Sequence, residues 1–289
     1  MTSLVAAIVN GLLLGMIYAA ISAGLSLTLG VMGLINVAHS AIAMFGAYLA
    51  WSAMHAWGID PVLALALITI GFFFVGMAVE RLLVRRVYDE PPEASLLSLF
   101  GLMIVLESIL VLVFTTTERA LPVQYTSAIQ IGFIRVGVAR LVGGAAALVA
   151  ILVAHGFLRR SRLGRGIRAM ASNRDAARIL GVDTERLSML LFGIGTALAG
   201  TGGVAMAMIF PFTPGDHLNW LTLAILVVII GGLGGLPRTI LAALSIGLVE
   251  SLAGAYLPFQ YVSIVLYALL IVTLWIRREG LAGEAVRTL

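Results

Sequence analysis

A few polar side chains stand where ionisable and amide groups are rare. Glu107 and Glu250 fall inside apolar runs, and Asn36, His39 and Ser40 sit in a glycine-rich break between two such runs. In apolar surroundings such groups have few uses: they hydrogen-bond neighbouring helices, relay protons or line a polar route. A second set lies at residues 159–187, RRSRLGRGIRAMASNRDAARILGVDTERL, the longest polar interval, with eight of the eighteen cations. What the chain lacks narrows the chemistry further. All eighteen cations are Arg, so there is no lysine for a Walker A phosphate loop or for a Schiff base. With no Cys, disulfides, thiolate nucleophiles and cysteine metal sites are excluded. No G-x-S-x-G elbow and no His/Asp/Glu cluster at metal-ligand spacing stands out. No catalytic residues, metal or cofactor are therefore assigned to this chain.

The elements that must hold these residues are membrane helices. Hydrophobic residues make up 61% and charged residues 11%, against about 25% charged in ordinary globular domains; mean hydropathy is +1.09. Apolar runs at about 4–29, 41–57, 62–83, 95–114, 136–158, 187–209, 218–230, 239–256 and 261–276 approach or reach the roughly 20 residues a spanning helix needs. No interval between them exceeds about 30 residues, too few for a separate packed core. The sequence predicts an all-α, polytopic helical bundle of about eight to ten membrane segments, residues 1–289 forming one domain. The first run has no basic leader or clear cleavage site and reads as a retained membrane helix. The net charge of +4 reports orientation, not nucleic-acid binding. Placing 159–187 in the cytoplasm and alternating outward puts fifteen arginines inside, Arg277, Arg278 and Arg287 among them, and only Arg119, Arg135 and Arg140 outside. The C-terminus is then cytoplasmic and, with nine crossings, the N-terminus is outside.

Two glycine-rich breaks, at 30–40 and 231–238, interrupt apolar runs near opposite ends of the chain. Paired breaks point to a solute route, because freed backbone groups are tolerated only against protein or water; ordinary tight turns are the alternative. The candidate path residues are Asn36, His39, Ser40, Glu107, Gly232, Gly234 and Glu250. His39 reads first as a packed histidine, with proton relay the alternative. Glu250 reads as a structural hydrogen bond as readily as a path residue. Gly11 and Gly15, at small-xxx-small spacing, read as packing within the bundle before a dimer face.

Within 159–187 a short helix is written. Ser172 is a good N-cap with Asp175 three positions on, as in a capping box, and Asp175 also favours the positive end of the helix dipole. Ala176, Ala177, Arg178, Ile179 and Leu180 form helix, and Gly181 ends it. Two turns are marginal alone, so the helix needs a partner surface, and Ala176, Ala177, Ile179 and Leu180 offer a small apolar one. An interfacial helix lying on headgroups is the alternative.

The pattern Asp175-Ala176-Ala177-x-x-x-Gly181 resembles the EAA-xxx-G loop of ATP-binding-cassette importer permeases, with Asp for Glu and without the usual Leu-Pro continuation. GLINVAHSAIAMFGAYLAW at 33–51, RGIRAMASNRDAARILGVD with the following FGIGTALAGTGGVAMAM, and IGGLGGLPRTILAALSIGLVESL at 230–252 resemble the branched-chain amino acid (LivH-like) permeases along nearly the whole chain. Ser40 replaces the glycine usual after the histidine. The resemblance implies an importer subunit of the bacterial inner membrane, working with a second related permease, two cytoplasmic ATP-binding subunits and a periplasmic substrate-binding protein. ATP would be bound by those partners, and residues 159–187 would carry a coupling loop whose docking residues are Ser172, Arg174, Asp175, Ala176, Ala177, Arg178 and Gly181. The implied cargo is a branched-chain or related hydrophobic amino acid; amides, urea or other small solutes are the alternative. An ion-coupled secondary transporter using Glu107, Glu250 and His39 is the competing class, and it leaves the capped loop helix without a purpose.

Overall fold

A computed structural model describes residues 2–88, 90–121, 128–131, 134–233 and 235–276. The apolar runs become helices: α1 Thr2–Met32, α2 Ala38–Trp57, α3 Pro61–Val79, α5 Pro92–Phe114, α6 Val138–Arg160, α9 Thr184–Ala207, α10 His217–Gly231, α11 Leu236–Tyr256 and α12 Phe259–Ile276. Among the described residues seven spans are long and apolar enough to cross a membrane, and Gln260–Trp275 adds a shorter apolar stretch. Helix α2 has the length but carries His39, Ser40, Ser52 and His55, which dilute its hydropathy. This is a multi-pass helical bundle.

Local chemistry sets several helix ends. Asp60 accepts from the Val62 amide at 2.8 Å ahead of Pro61, starting α3. At its far end α3 passes into a π-helical turn, Glu80–Val84, and a last turn, α4 Arg85–Val87. Widening of this kind inside an α-helix often marks functional sites. The polar interval after α5 holds a hairpin, β1 Ala128–Ile131 against β2 Ile134–Gly137, and Arg119 bridges Phe212; these are small β additions to the all-helical expectation. The loop at 159–187 holds α7 Arg162–Ser172 and α8 Arg174–Ile179.

The bundle is built around α9, of whose residues nineteen are buried. It packs against α1, α2, α3 and α6. That density is possible because α9 carries five glycines between Gly193 and Gly203, and close helix approach in lipid depends on small residues. The α1–α11 crossing uses the same device. A methyl group on Gly11 or Gly15 would fall 2.8 or 2.7 Å from the Cα atoms of Leu248 or Leu244. The Gly11/Gly15 pair thus serves packing within the bundle. Large apolar side chains of α3, α5 and α6, including Leu67, Phe74, Leu112 and Val153, face outward, as the lipid requires.

The break after α1 re-enters the bundle. His39 Nε2 lies 2.7 Å from the carbonyl of Ile21, eleven residues (21 to 32) before the end of α1. At 1.5 Å per helical residue that carbonyl lies about 16 Å from the end of α1, a distance covered by residues 33–37, the first turn of α2 and the His39 side chain together. Gly33, at φ 69°, makes the reversal.

Candidate functional site

Two sites take shape, one at the arginine-rich end and one inside the bundle. At the first, α7 lays Gly164, Ile167 and Met170 inward and turns Arg162, Arg165 and Arg168 outward; Arg168 also donates to the Leu158 carbonyl. Ser172 is the last residue of α7 and is exposed. It does not cap the next helix. Asn173 does: its Oδ1 accepts from the Ala176 amide at 2.9 Å. Asn173 can do so because its own backbone is extended, φ −157° and ψ 109°, whereas Ser172 is still helical. Asp175 therefore sits in the first turn, where it suits the dipole, and not at the third position of a capping box with Ser172. Gly181 closes the segment at φ 82°, as expected of a left-handed terminator.

Helix α8 is anchored through Ala177 and Arg174 and exposed elsewhere. Ala177 is buried, Asp175, Ala176 and Arg178 are exposed, and Ile179 and Leu180 are 86% and 82% exposed. Apolar side chains so bare on a loop helix constitute an unpartnered patch. Arg174 points the other way. Its guanidinium lies 3.3 Å from the centroid of the Tyr88 ring. Burial, with neighbouring Arg178 second, lowers its pKa from the ordinary arginine value. Tyr88 donates to the Met32 carbonyl at 3.0 Å, and Ser95 ties the preceding Val87 carbonyl to α5 at 2.9 Å. Beside them Arg85 bridges Glu80 at 3.4 Å and Glu185 of α9 at 3.1 Å. Glu80, Arg85, Tyr88, Arg174, Thr184 and Glu185 thus line one crevice under α8.

The second site joins residues from three helices. Ser40 Oγ lies 3.4 Å from His217 Nδ1. The other ring nitrogen, Nε2, lies 3.3 Å from Glu107 Oε2 but is not aligned as a hydrogen bond. Ser40, His39 and His217 are fully buried, while a third of the Glu107 side chain is open. The Asp216 carboxylate holds His217 at the start of α10 by accepting from the Thr213 amide and hydroxyl at 2.7 and 2.8 Å. Asn36 is buried with both side-chain atoms unpartnered, and His39 Nδ1, Ser22 Oγ and Thr196 Oγ1 are likewise unpartnered. Buried polar atoms without partners are rare and costly.

The candidates from sequence divide accordingly. Asn36, His39, Ser40 and Glu107 belong to the re-entrant segment or to the chain of contacts through His217. Glu250 pairs instead with Tyr18, whose hydroxyl donates to Oε2 at 2.6 Å across the α1–α11 contact. Gly232 ends α10 at φ 79°, and Gly231 before it packs on Thr239, which hydrogen-bonds Ser26 of α1 at 3.0 Å. Gly234, like Arg277, Arg278 and Arg287, lies outside the described residues. Glu80, Tyr88, Asn173, His217 and Tyr18 escaped the sequence reading. Glu80 had a signal, a carboxylate inside the third apolar run with Arg85 five residues on; His217, opening the seventh run, had another. The sequence offered nothing to single out Tyr18 or Tyr88. Among the described residues no group of three or more His, Asp or Glu is placed to hold a metal ion.

Comparison with known proteins covers nearly the whole chain. Residues 7–274 match the family described as branched-chain amino acid transport system / permease component. The high-affinity branched-chain amino acid transport system permease protein LivH of Escherichia coli K12 is 30% identical over 95% of this chain and 94% of its own. BraD of Pseudomonas aeruginosa, of the same description, is 30% identical over 96% and 95%. A probable LivH permease of Methanocaldococcus jannaschii is 23% identical over 90% and 86%. No solved structure matches significantly. With a matched region spanning the re-entrant break, α8 and α11 together, the chain belongs to the branched-chain amino acid transport permease family.

Proposed function

We propose that this chain is a membrane-spanning permease subunit of an ATP-driven importer, moving branched-chain or related hydrophobic amino acids across the bacterial inner membrane. The observation that carries the reading is α8: a six-residue helix capped by Asn173, ended by Gly181 and anchored by Ala177, with Ile179 and Leu180 left bare. A helix this short is specified only for a partner surface. A cytoplasmic ATPase subunit is that partner, seated on α8, and ATP is bound and hydrolysed there and not on this chain. A second related permease completes the membrane unit, and a periplasmic binding protein delivers the solute. In this reading the arginine-rich end faces the cytoplasm and the C-terminus lies there. Asn36, His39, Ser40, Glu107 and His217 face the translocation route.

The test is co-purification of this chain with two ATPase subunits and its sister permease, followed by leucine uptake in proteoliposomes. Ala177→Arg with Gly181→Arg is expected to abolish both ATPase association and uptake while the chain still inserts. Retained uptake would remove α8 from the mechanism. The contact of Glu107 with His217 favours one second reading, an ion-coupled transporter; uptake that survives ATP depletion and collapses with the ion gradient would select it. Uptake of amides or urea in preference to leucine would retain the permease and replace the cargo.

A further inference from the structure

The crevice under α8 joins two features that the proposed function leaves separate, the docking helix and the re-entrant break. Met32 is the last residue of α1. Its carbonyl has lost its helical partner, as the final carbonyls of any helix do. Tyr88 fills that vacancy with its hydroxyl at 3.0 Å. The same ring carries the Arg174 guanidinium on its face at 3.3 Å. One aromatic side chain therefore touches the first residue of α8 with its face and the last residue of α1 with its edge. The chain leaving Met32 runs directly into the irregular residues 33–37 and then to His39 and Ser40. Tyr88 is itself held in place, following the π-helical turn and tied through Val87 to Ser95 of α5. Arg174 Nη1 has no hydrogen-bond partner, and the Tyr88 face is a direct neighbour of this guanidinium, with the charges of Glu80, Asp175 and Glu185 acting on it as well.

Resting on the reading of α8 as the docking helix, we propose that Tyr88 is a positioning residue that couples α8 to the re-entrant segment, its ring following Arg174 and its hydroxyl setting the position of Met32 and of residues 33–37. A flat ring held by its face and by its hydroxyl carries movement from one contact to the other, where a flexible aliphatic chain would absorb it. A two-position element biased from both sides is what such coupling requires.

Two measurements test it. The chain has no Cys, and Ile35 is 47% exposed within the re-entrant segment, so Ile35→Cys reports that segment through its rate of maleimide labelling without any partner present. Tyr88→Phe removes only the hydroxyl and keeps the ring under Arg174; it is expected to raise labelling several-fold. In proteoliposomes holding the assembled complex, Tyr88→Phe is expected to leave ATP hydrolysis within about twofold of the parent and to lower leucine moved per ATP at least fivefold. Unchanged labelling in Tyr88→Phe overturns the proposal, as does a parallel fall in hydrolysis and uptake, which would mean a merely structural tyrosine. If the parent chain fails to bind the ATPases, the docking reading fails instead, and the labelling result still decides whether Tyr88 seats the segment.

Discussion

The caps of α8 permit a quantitative test. Asn173→Ala removes the 2.9 Å bond to the Ala176 amide, and loss of such a cap costs about 1 kcal/mol. Gly181→Val forces a branched side chain into the left-handed region at φ 82°, costing about 1–2 kcal/mol. Helix α8 holds few internal hydrogen bonds, and the Ala177 amide, 3.0 Å from the Asn173 carbonyl, and the Leu180 amide, 3.0 Å from the Ala176 carbonyl, report its opening. With 1–2 kcal/mol equal to a factor of roughly 5–30, hydrogen exchange at these two amides should accelerate about fivefold in Asn173→Ala and about 5- to 30-fold in Gly181→Val. Amides of α9, buried at the centre of the bundle, should not change. Mass-spectrometric exchange on the chain in nanodiscs reads both. Ser172→Ala is the internal control, expected to shift stability by no more than about 0.5 kcal/mol because its side chain makes no cap. If Ser172→Ala opens α8 as much as Asn173→Ala, or if Asn173→Ala leaves exchange unchanged, the assignment of the cap is wrong and with it the argument for why this helix forms.

Other perturbations reach different parts of the molecule. Gly15→Leu should separate α1 from α11, since even a methyl there meets the Leu244 Cα at 2.7 Å; a loss of about 1–3 kcal/mol or more would appear as a lower melting temperature in detergent. Tyr18→Phe takes the 2.6 Å donor from Glu250, and a partly buried carboxylate left short of a donor should lower stability by about 1–3 kcal/mol, whereas Glu250→Gln, which keeps an acceptor, should lose less in the same melting assay. Arg85→Ala strips the partner from the buried Glu80 and should cost about 2 kcal/mol, read by thermal shift, with Glu80→Gln partly restoring the loss. His217→Ala breaks the contacts to Ser40 and Glu107 and should reduce uptake at least tenfold while insertion and ATPase association persist; unchanged uptake would remove this cluster from the route.

Much of the architecture was legible because membrane helices announce themselves locally. Each needs an uninterrupted apolar run, and each run in the sequence became a helix whose ends shifted by a few residues. The re-entrant break was legible for the same reason: Gly33 and Asn36 interrupt a pattern that lipid would otherwise enforce. The caps of α8 were half legible. Ser172 and Asn173 are both good cap residues one position apart, and the choice between them follows from where α7 stops, which depends on Ile167 and Met170 packing against the bundle.

Partnerships across the bundle were beyond the sequence. Glu107 and Glu250 look alike in their apolar runs, yet one faces His217 and the other is held by Tyr18, because the rotation of α5 and of α11 about their axes is decided by packing against neighbours. The sequence by itself determined that this chain lives in a membrane, that it carries no lysine for a phosphate loop, and that one polar loop holds a short helix, since these follow from residue types and their spacing along one element. The convergence of Tyr88, Arg174 and Met32 comes from three separate stretches and was decided only by the tertiary structure, since helix packing alone fixes which side chains from distant elements meet.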